Sequence, residues 1–434
     1  MNWQVIVVKL KEKSLGYTTL GELIKECREK KCLSLTDLSN LSGITKGGLS
    51  KIESGETKRP ELSTIKSIAN VLDIPYKEIV EHYIELEQRP EALRELLLEV
   101  IKFSDNNLIS KVTLKLLQSH QEDTYTSLEK LYGLAESISD SQVKIILYNS
   151  IVKYSRQHGI MTYLAKALFH KYLIERDDFS RLHETYQSGK YALHYTDFLS
   201  PNERTLFLYK LGVHAFNLML YNECIELCEL VLEEDGTESR IKADAVGAIC
   251  NAYFYLEQYD KAESYLDVYK GFSFPHIPDN VKLMTAALNS ARGLVDTAIK
   301  QLQKSLESSR NTTIHVINRL FELHLRNNDL QSIEELLENE PKLEQQTFIT
   351  PYQKSELAYF YKLKGDFTLR KGDFHDAMNC YIKSALEYGK VSAHANSMDC
   401  LRLIMDSYIS RNKEMDISVL QKLKELYNEI RVIM

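Results

Sequence analysis

The chain has 434 residues, of which 44% are hydrophobic and 26% charged, with only 17 glycines and 8 prolines. This balance excludes a disordered protein and favours helix, and the length exceeds what one hydrophobic core usually organises, so we expect at least two folding units. The net charge is −7, but residues 1–80 carry 13 Lys and Arg against 10 Asp and Glu, which leaves about −10 for the remainder. The N-terminal segment is therefore the part better suited to meet a polyanion.

Several classes of protein lack support in the sequence. No run approaches the roughly 20 apolar residues of a membrane span, and residues 1–13 lack the features of a signal peptide, so we expect a cytoplasmic protein with no membrane partner. Seven cysteines without a CxxC pair and twelve histidines without ligand spacing predict neither disulfides nor a metal site. The motifs of P-loop, HExxH, GxSxG and GxGxxG proteins are missing, so we predict no enzyme and no cofactor.

Residues 20–80 show five short segments with helical spacing of apolar residues. Ser34 is a good N-cap for the second segment, Gly43 permits a sharp turn, Thr45 caps the third, Gly55 closes it, and Pro75 opens the fifth. The inward positions of the first four segments are predicted to be Leu20, Leu23, Ile24 and Cys27; Leu35, Leu38 and Leu41; Leu49 and Ile52; and Leu62, Ile65, Ile68, Ala69 and Leu72. These signals predict a small all-helical domain.

From about residue 160 the pattern changes to a repeat of roughly 34 to 40 residues, the period of stacked helix pairs. The clearest units are 365–386, 248–269 and 211–232, and weaker ones are 294–306, 328–337 and 177–193. In four units a bulky residue precedes a small one by three, as in Phe374 and Ala377, Tyr259 and Ala262, Tyr221 and Cys224, and Val295 and Ala298. Small residues let paired helices approach, and bulky ones fill the groove between them.

Residues 20–80 resemble the helix-turn-helix of the Xre/lambda-repressor type, through LSLTDLSNLSGITKGGLSKIESG followed by TKRP. One departure is Leu35, where that family usually has Gln. In such domains the first residues of the recognition helix meet base edges and the flanking loop holds phosphates. Carried over by position, the resemblance implies major-groove contacts from Thr45, Lys46, Ser50 and Lys51 and backbone contacts from Lys58 and Arg59.

The repeat region resembles tetratricopeptide repeats, and the whole layout is similar to that of the RRNPP regulators, particularly their NprR-like members. The resemblance implies an all-α fold, a five-helix helix-turn-helix domain followed by a right-handed α-solenoid of tetratricopeptide-like helix pairs. It implies a homodimer on a palindromic double-stranded DNA operator. It also implies a short signalling peptide on the concave face of the repeats. The expected domains are 1–17, an extension of unknown role; 18–83, the helix-turn-helix; 84–104, a linker helix; and 105–434, the repeat sensor and dimerisation domain.

Aligning the small-residue landmarks of the repeats places Asn217, Asn251 and Asn318 on the concave face. An Asn amide offers both an acceptor and donors to a peptide backbone, although each of these residues is equally compatible with an ordinary polar position on an exposed helix. The residues expected to share that face are Tyr209, Phe216, Tyr255, His315, Arg326, Lys362, Asp366 and Arg370. Tyr and Phe at helical spacing are also typical packing residues.

These observations favour a transcription regulator of the quorum-sensing type, whose repeats bind a peptide and thereby change DNA binding. Two alternatives stay open. One is a constitutive repressor that uses its repeats only for dimerisation or for protein–protein interaction. The other is a Rap-like protein whose helices around 90–160 bind a response regulator and alter its phosphorylation.

Overall fold

The computed structural model describes residues 19–87, 89–308, 313–415 and 417–433, and within these ranges the chain is helical with no β-strand. Two compact units meet in sequence between Tyr163 and Leu164. The predicted extension of residues 1–17 lies outside the described residues. None of the described helices is long and apolar enough to cross a membrane.

The N-terminal unit is built from short helices. They are α1 (Leu20–Lys30), α2 (Leu35–Ser42), α3 (Lys46–Glu53), α4 (Leu62–Leu72), α5 (Tyr76–Leu86), α6 (Pro90–Lys102), α7 (Asn106–Leu117), α8 (Thr124–Ser137) and α9 (Ser141–His158). The next helix, α10 (Met161–Glu175), begins just before the sequence boundary between the units.

The first five helices have the predicted starts and turns. The Ser34 hydroxyl accepts from the Asp37 N–H at 3.1 Å, which caps α2, and Gly43 takes the left-handed conformation at φ 74° that the turn into α3 requires. The Thr45 hydroxyl caps α3 through the Gly48 N–H at 3.2 Å. The predicted inward positions are buried or half-buried except Leu41, which is 62% exposed because α2 is only eight residues long and ends one residue later.

Helix α3 is fixed to α1 by a buried ion pair and by close backbone contact. The Arg28 guanidinium donates to both carboxylate oxygens of Glu53, with Nε–Oε1 at 2.7 Å and Nη2–Oε2 at 2.9 Å, and the two side chains are 11% and 7% exposed. A Cβ at Gly21 would lie 2.4 Å from the Ile52 carbonyl oxygen, so only glycine allows this approach. Glu53 ends α3, and the ion pair therefore sets the position of that helix.

The first five helices are also tied to α6 and α7. The rings of Tyr76 and Phe103 pack with centroids 4.8 Å apart. Ion pairs join α4 and α5 to the following helices, namely Lys66–Glu99, Lys77–Asp105, Lys111–Glu81 and Lys115–Glu85. Residues 84–104, expected as one linker helix, comprise the end of α5, the non-helical Glu87 and Arg89, and α6. Glu87 is buried and accepts from the Tyr83 hydroxyl at 3.1 Å and from the Arg89 backbone N–H at 2.8 Å.

The second unit continues α10 with a 3₁₀ turn (Phe179–Arg181), α11 (Leu182–Ala192), a second 3₁₀ helix (Leu193–Phe198) and a succession of helix pairs. The pairs and their neighbours are α12 (Pro201–Asn217), α13 (Tyr221–Glu234), α14 (Arg240–Tyr255), α15 (Tyr259–Tyr269), α16 (Ile277–Ala291), α17 (Val295–Ser308), α18 (Thr313–Arg326), α19 (Leu330–Leu337), α20 (Glu340–Gln345), α21 (Pro351–Lys371), α22 (Phe374–Gly389), α23 (His394–Ser410) and α24 (Ile417–Ile433).

Each of the three clearest predicted units, 365–386, 248–269 and 211–232, covers the end of one helix and most of the helix that follows it. The weaker units 294–306, 328–337 and 177–193 each contain all or most of one α-helix. Each of α12 to α18 packs against the next helix, and α18 packs against α21 across the shorter α19 and α20. The small residues of the motif, Cys224, Ala262, Ala298 and Ala377, are all fully buried. A Cβ at Gly365 would lie 2.6 Å from the Tyr381 ring, so α21 and α22 approach closely where a small residue faces a large one. The helical repeat region predicted from the sequence is thus confirmed.

We predict that Glu53→Ala destabilises α1 and α3, because it leaves the Arg28 guanidinium buried without its carboxylate. The expected loss is about 3 kcal/mol of the free energy of local unfolding. Hydrogen–deuterium exchange of the full chain measures it as faster exchange of the α1 and α3 amides. Glu26→Ala is the control, because it breaks an exposed α1 ion pair with Lys30. Equal protection in the two variants would contradict the structural role of Glu53.

Candidate DNA-binding surface and ligand cavity

The outer face of α3 and the loop after it form an exposed, cationic surface. Thr45, Lys46, Ser50 and Lys51 lie on the exposed side of α3, while Leu49 and Ile52 on its other side are buried. Lys58 and Arg59 are exposed in the loop that leads to α4. Among the described residues no carboxylate forms an ion pair with Lys46, Lys51 or Lys58. All six residues predicted to contact DNA thus lie on or beside the second helix of a helix-turn-helix, which is the element that enters the major groove in such domains.

The second unit contains a cavity of about 560 Å³, lined by α12, α14, the segment before α11 and the start of α21. Four of the residues predicted to bind peptide line it: Tyr209, Phe216, Asn217 and Asn251. Asn217 and Asn251 are half-buried, and their side-chain amides form no hydrogen bond with any described residue. The cavity therefore presents two amides that can pair with a polar ligand.

A smaller cavity of about 270 Å³ continues from the first, and the two share Phe216, Asn217 and Tyr352. Five of its fourteen lining residues are tyrosines, including the predicted Tyr255, whose ring stacks on Tyr221 with centroids 5.2 Å apart. The Tyr255 and Tyr352 hydroxyls lie 3.2 Å apart. The smaller cavity thus combines aromatic rings with polar and charged side chains.

The floor of the smaller cavity is a buried polar cluster around Glu356. Asn318 is 1% exposed, and its amide nitrogen donates to the Glu356 carboxylate at 2.7 Å and to the Glu356 carbonyl at 2.8 Å. Burial opposes ionisation of Glu356, but His315, Asn318 and Arg319 together lower its pKa. The predicted Asn318 thus lies in the cavity, but both of its donors are engaged inside the protein and only its Oδ1 is without a partner among the described residues.

The remaining predicted residues lie away from the walls of these two cavities. His315 stands behind Tyr352, with ring centroids 4.9 Å apart and its Nδ1 3.6 Å from the Glu356 carboxylate. Lys362 and Asp366 pair with each other at 3.7 Å. Arg326 pairs with Glu322, and Arg370 donates to the carbonyl of Leu325. Lys362, Asp366 and Arg326 thus pair within their own helices, and Arg370 reaches from α21 to α18. None of the four lines either cavity.

The sequence pattern did not identify the side chains that contact one wall of the larger cavity, formed by Phe179 and Leu182. Ser392 accepts from the Leu182 N–H at 3.3 Å and donates to the Phe179 carbonyl at 2.8 Å, and the Lys354 ammonium lies 4.9 Å from the centre of the Phe179 ring. These contacts bring the segment before α11 next to the start of α21, where Tyr352 lies. No local signal marks them, because the partners are far apart in sequence.

Comparisons with known proteins agree with the N-terminal architecture. Residues 24–79 match the helix-turn-helix family, and this segment is a helix-turn-helix domain. The chain is 35% identical over 75 residues to the uncharacterized HTH-type transcriptional regulator RghRB of Bacillus subtilis (strain 168). This alignment covers 17% of this chain and 54% of RghRB. It is also 37% identical over 59 residues to the HTH-type transcriptional repressor RghR of the same organism. This alignment covers 14% of this chain and 44% of RghR. The chain thus spans about half the length of the curated relatives it matches.

Among solved structures, the chain is similar to a Rap protein complexed with competence and sporulation factor. The sequence identity is 10%, the alignment covers 77% of this chain and 100% of that one, and the TM-score is 0.41. Among the described residues no group of His, Cys, Asp or Glu is arranged to hold a metal ion.

We predict that replacing Lys46 and Lys51 together by Ala weakens binding to specific DNA by about tenfold or more, because each removes a cation from the recognition surface. The slope of log affinity against log salt should also become shallower by about one for each lysine that contacts a phosphate. Fluorescence polarisation with labelled DNA at several salt concentrations measures both.

The matched control is the double variant Lys102→Ala and Lys153→Ala, which removes the same charge from exposed positions of α6 and α9. If the two double variants bind DNA equally well, α3 is not the recognition helix.

Proposed function

We propose that this chain is a cytoplasmic transcription regulator that binds a palindromic DNA operator as a homodimer and responds to a short signalling peptide held in the cavity of its repeat array. The observation that carries the proposal is the presence, in one chain, of a helix-turn-helix with an exposed cationic recognition face and of a cavity with two unpaired Asn amides. The first feature is suited to DNA, and the second to a peptide backbone.

The chemistry of the cavity favours a peptide over a purely apolar ligand. A peptide unit offers one N–H and one C=O, and an Asn amide can pair with both. Asn217 and Asn251 are half-buried and their amides have no partner among the described residues, so both are available to a ligand of this kind. The aromatic wall formed by Tyr221, Tyr255 and Tyr352 would take apolar side chains, and the combined size of the two cavities lies in the range of ligand sites.

The helix-turn-helix suggests how a homodimer would bind its operator and what a ligand could change. A two-fold operator has half-sites about one helical turn, or ~34 Å, apart, and each would receive one copy of α3. A ligand changes DNA binding only if it binds one arrangement of the protein more tightly than another. We therefore expect the peptide to change either the affinity for the operator or the spacing of the two recognition helices.

The test is to titrate the full chain onto labelled DNA from immediately upstream of its own gene, with and without a short-peptide fraction from the culture of the source organism. Specific binding that changes with the peptides supports the proposal. Specific binding that ignores them contradicts it and favours a repressor that uses its repeats only for protein contacts.

The variant carrying both Asn217→Ala and Asn251→Ala should lose the response to the peptide fraction while its DNA affinity without peptides stays unchanged. The reason is that the substitutions remove cavity amides and leave the helix-turn-helix untouched. Asn202→Ala is the matched control, because Asn202 is an exposed amide on the same helix, α12. A full peptide response in the double variant would show that the cavity amides do not bind the ligand.

A further inference from the structure

One end of the larger cavity carries more positive charge than its own carboxylates neutralise. Asp244 is already held by His276 at 2.7 Å and by Arg240 at 3.6 Å. Asp177 lies 3.9 Å from Arg176, at the outer limit of an ion pair, and its side chain is 73% exposed. The half-buried ammonium of Lys210 forms no ion pair with any described residue.

The electrostatics of Lys210 indicate that an anion would be stabilised beside it. Burial and the nearby charge of Arg176 lower the pKa of Lys210, so its charged form is held at a free-energy cost. A negatively charged group placed between Lys210 and Arg176 would relieve both the burial and the repulsion. Asp177 and Asp244 act on the pKa of Lys210 in the opposite direction, but neither forms an ion pair with it.

Two buried nitrogen atoms at the same end of the cavity also lack partners. Arg176 Nε and His214 Nε2 are both buried and make no hydrogen bond with any described residue. His214 is 1% exposed and lines the cavity, and its Nδ1 lies 3.1 Å from the Tyr172 hydroxyl. Burial and the charge of Arg176 lower the pKa of His214 to about 4, so the ring is neutral near pH 7. The Tyr172 hydroxyl can donate to this Nδ1 or to the Lys210 carbonyl 3.4 Å away, and the ring hydrogen is on Nε2 only in the first case.

We propose that Arg176, Lys210 and His214 form a carboxylate subsite that anchors one end of the peptide. A carboxylate accepts several hydrogen bonds at once and suits a cavity wall that carries two neighbouring cationic side chains, Arg176 and Lys210. Asn217 and Asn251, on the same cavity wall, would then pair with the adjoining backbone, and the tyrosine-lined cavity would take the part of the peptide farther from the carboxylate. The inference rests on the proposed function and names the chemical class of its ligand.

The test uses three pools of randomised synthetic heptapeptides, incubated with the full chain and identified by mass spectrometry after the bound fraction is recovered. The first pool has a free carboxyl terminus and contains no Asp or Glu. The second has an amidated terminus and contains Asp and Glu. The third is amidated and contains neither, so it has no carboxylate. Retention of the first pool assigns the subsite to the terminal carboxylate, and retention of the second assigns it to an acidic side chain.

We expect the pool without carboxylates to be retained about tenfold less than the better of the other two. Lys210→Met should lower that retention to a similar extent, and Lys210→Arg should restore it. Lys300→Met, which changes an exposed lysine of α17, is the matched control. Each variant is first shown to bind DNA like the natural chain without peptides, so that loss of folding is recognised.

Equal retention of all three pools, or undiminished retention by Lys210→Met, overturns the carboxylate subsite and leaves the peptide-controlled regulator standing. Retention of none of the pools by the natural chain, together with DNA binding that ignores the peptide fraction, overturns both proposals.

Discussion

The hydroxyl of Ser392 joins two parts of the repeat array that are 210 residues apart in sequence, and the residues that it contacts, Phe179 and Leu182, line the larger cavity. It accepts from the Leu182 N–H and donates to the Phe179 carbonyl, and Ser392 itself is 3% exposed. A helix pair cannot bury its apolar face alone, so each pair of the array is stabilised by the next. The serine adds a link between elements that are not successive, and it places the segment carrying Arg176 and Phe179 opposite Tyr352.

In the N-terminal unit, ion pairs hold the helices of the DNA-binding surface in position. The ion pair between Arg28 and Glu53 fixes the recognition helix, and the ion pairs from α4 and α5 to α6 and α7 fix the whole helix-turn-helix to the helices that follow it. The helix-turn-helix is therefore in contact with the helices that follow it, α6 and α7.

Most of the helix-turn-helix could be predicted from sequence because its determinants are local. Ser34, Gly43 and Thr45 act within three residues of their own positions, and the buried faces follow from helical spacing. The repeat pairs were equally visible, since Ala262 or Ala377 need only meet the adjacent helix. Leu41 is the exception in the small domain, since the period of a short helix does not fix which of its apolar residues reaches the core.

The cavity was predictable only in part. Asn217 and Asn251 were found because they occupy equivalent positions of successive repeats, but the same alignment also selected Lys362, Asp366 and Arg370, which pair with neighbouring groups instead. Asn318 lies where it was expected, yet Glu356 takes both of its donors. Arg176, Lys210 and His214 were missed because the cavity wall that brings them together is built from segments that are not adjacent in sequence.

The most direct test of the central claim, that peptide and DNA binding are coupled, is a reciprocal measurement on the full chain. The Kd for operator DNA is measured without and with saturating peptide, and the Kd for the peptide is measured without and with saturating DNA, using the active species purified from the peptide fraction. The account predicts that the two affinities change by the same factor, because coupling between sites is reciprocal. A DNA affinity and a peptide affinity that are each independent of the other ligand, with the spacing of the recognition helices on DNA also unchanged, would contradict it.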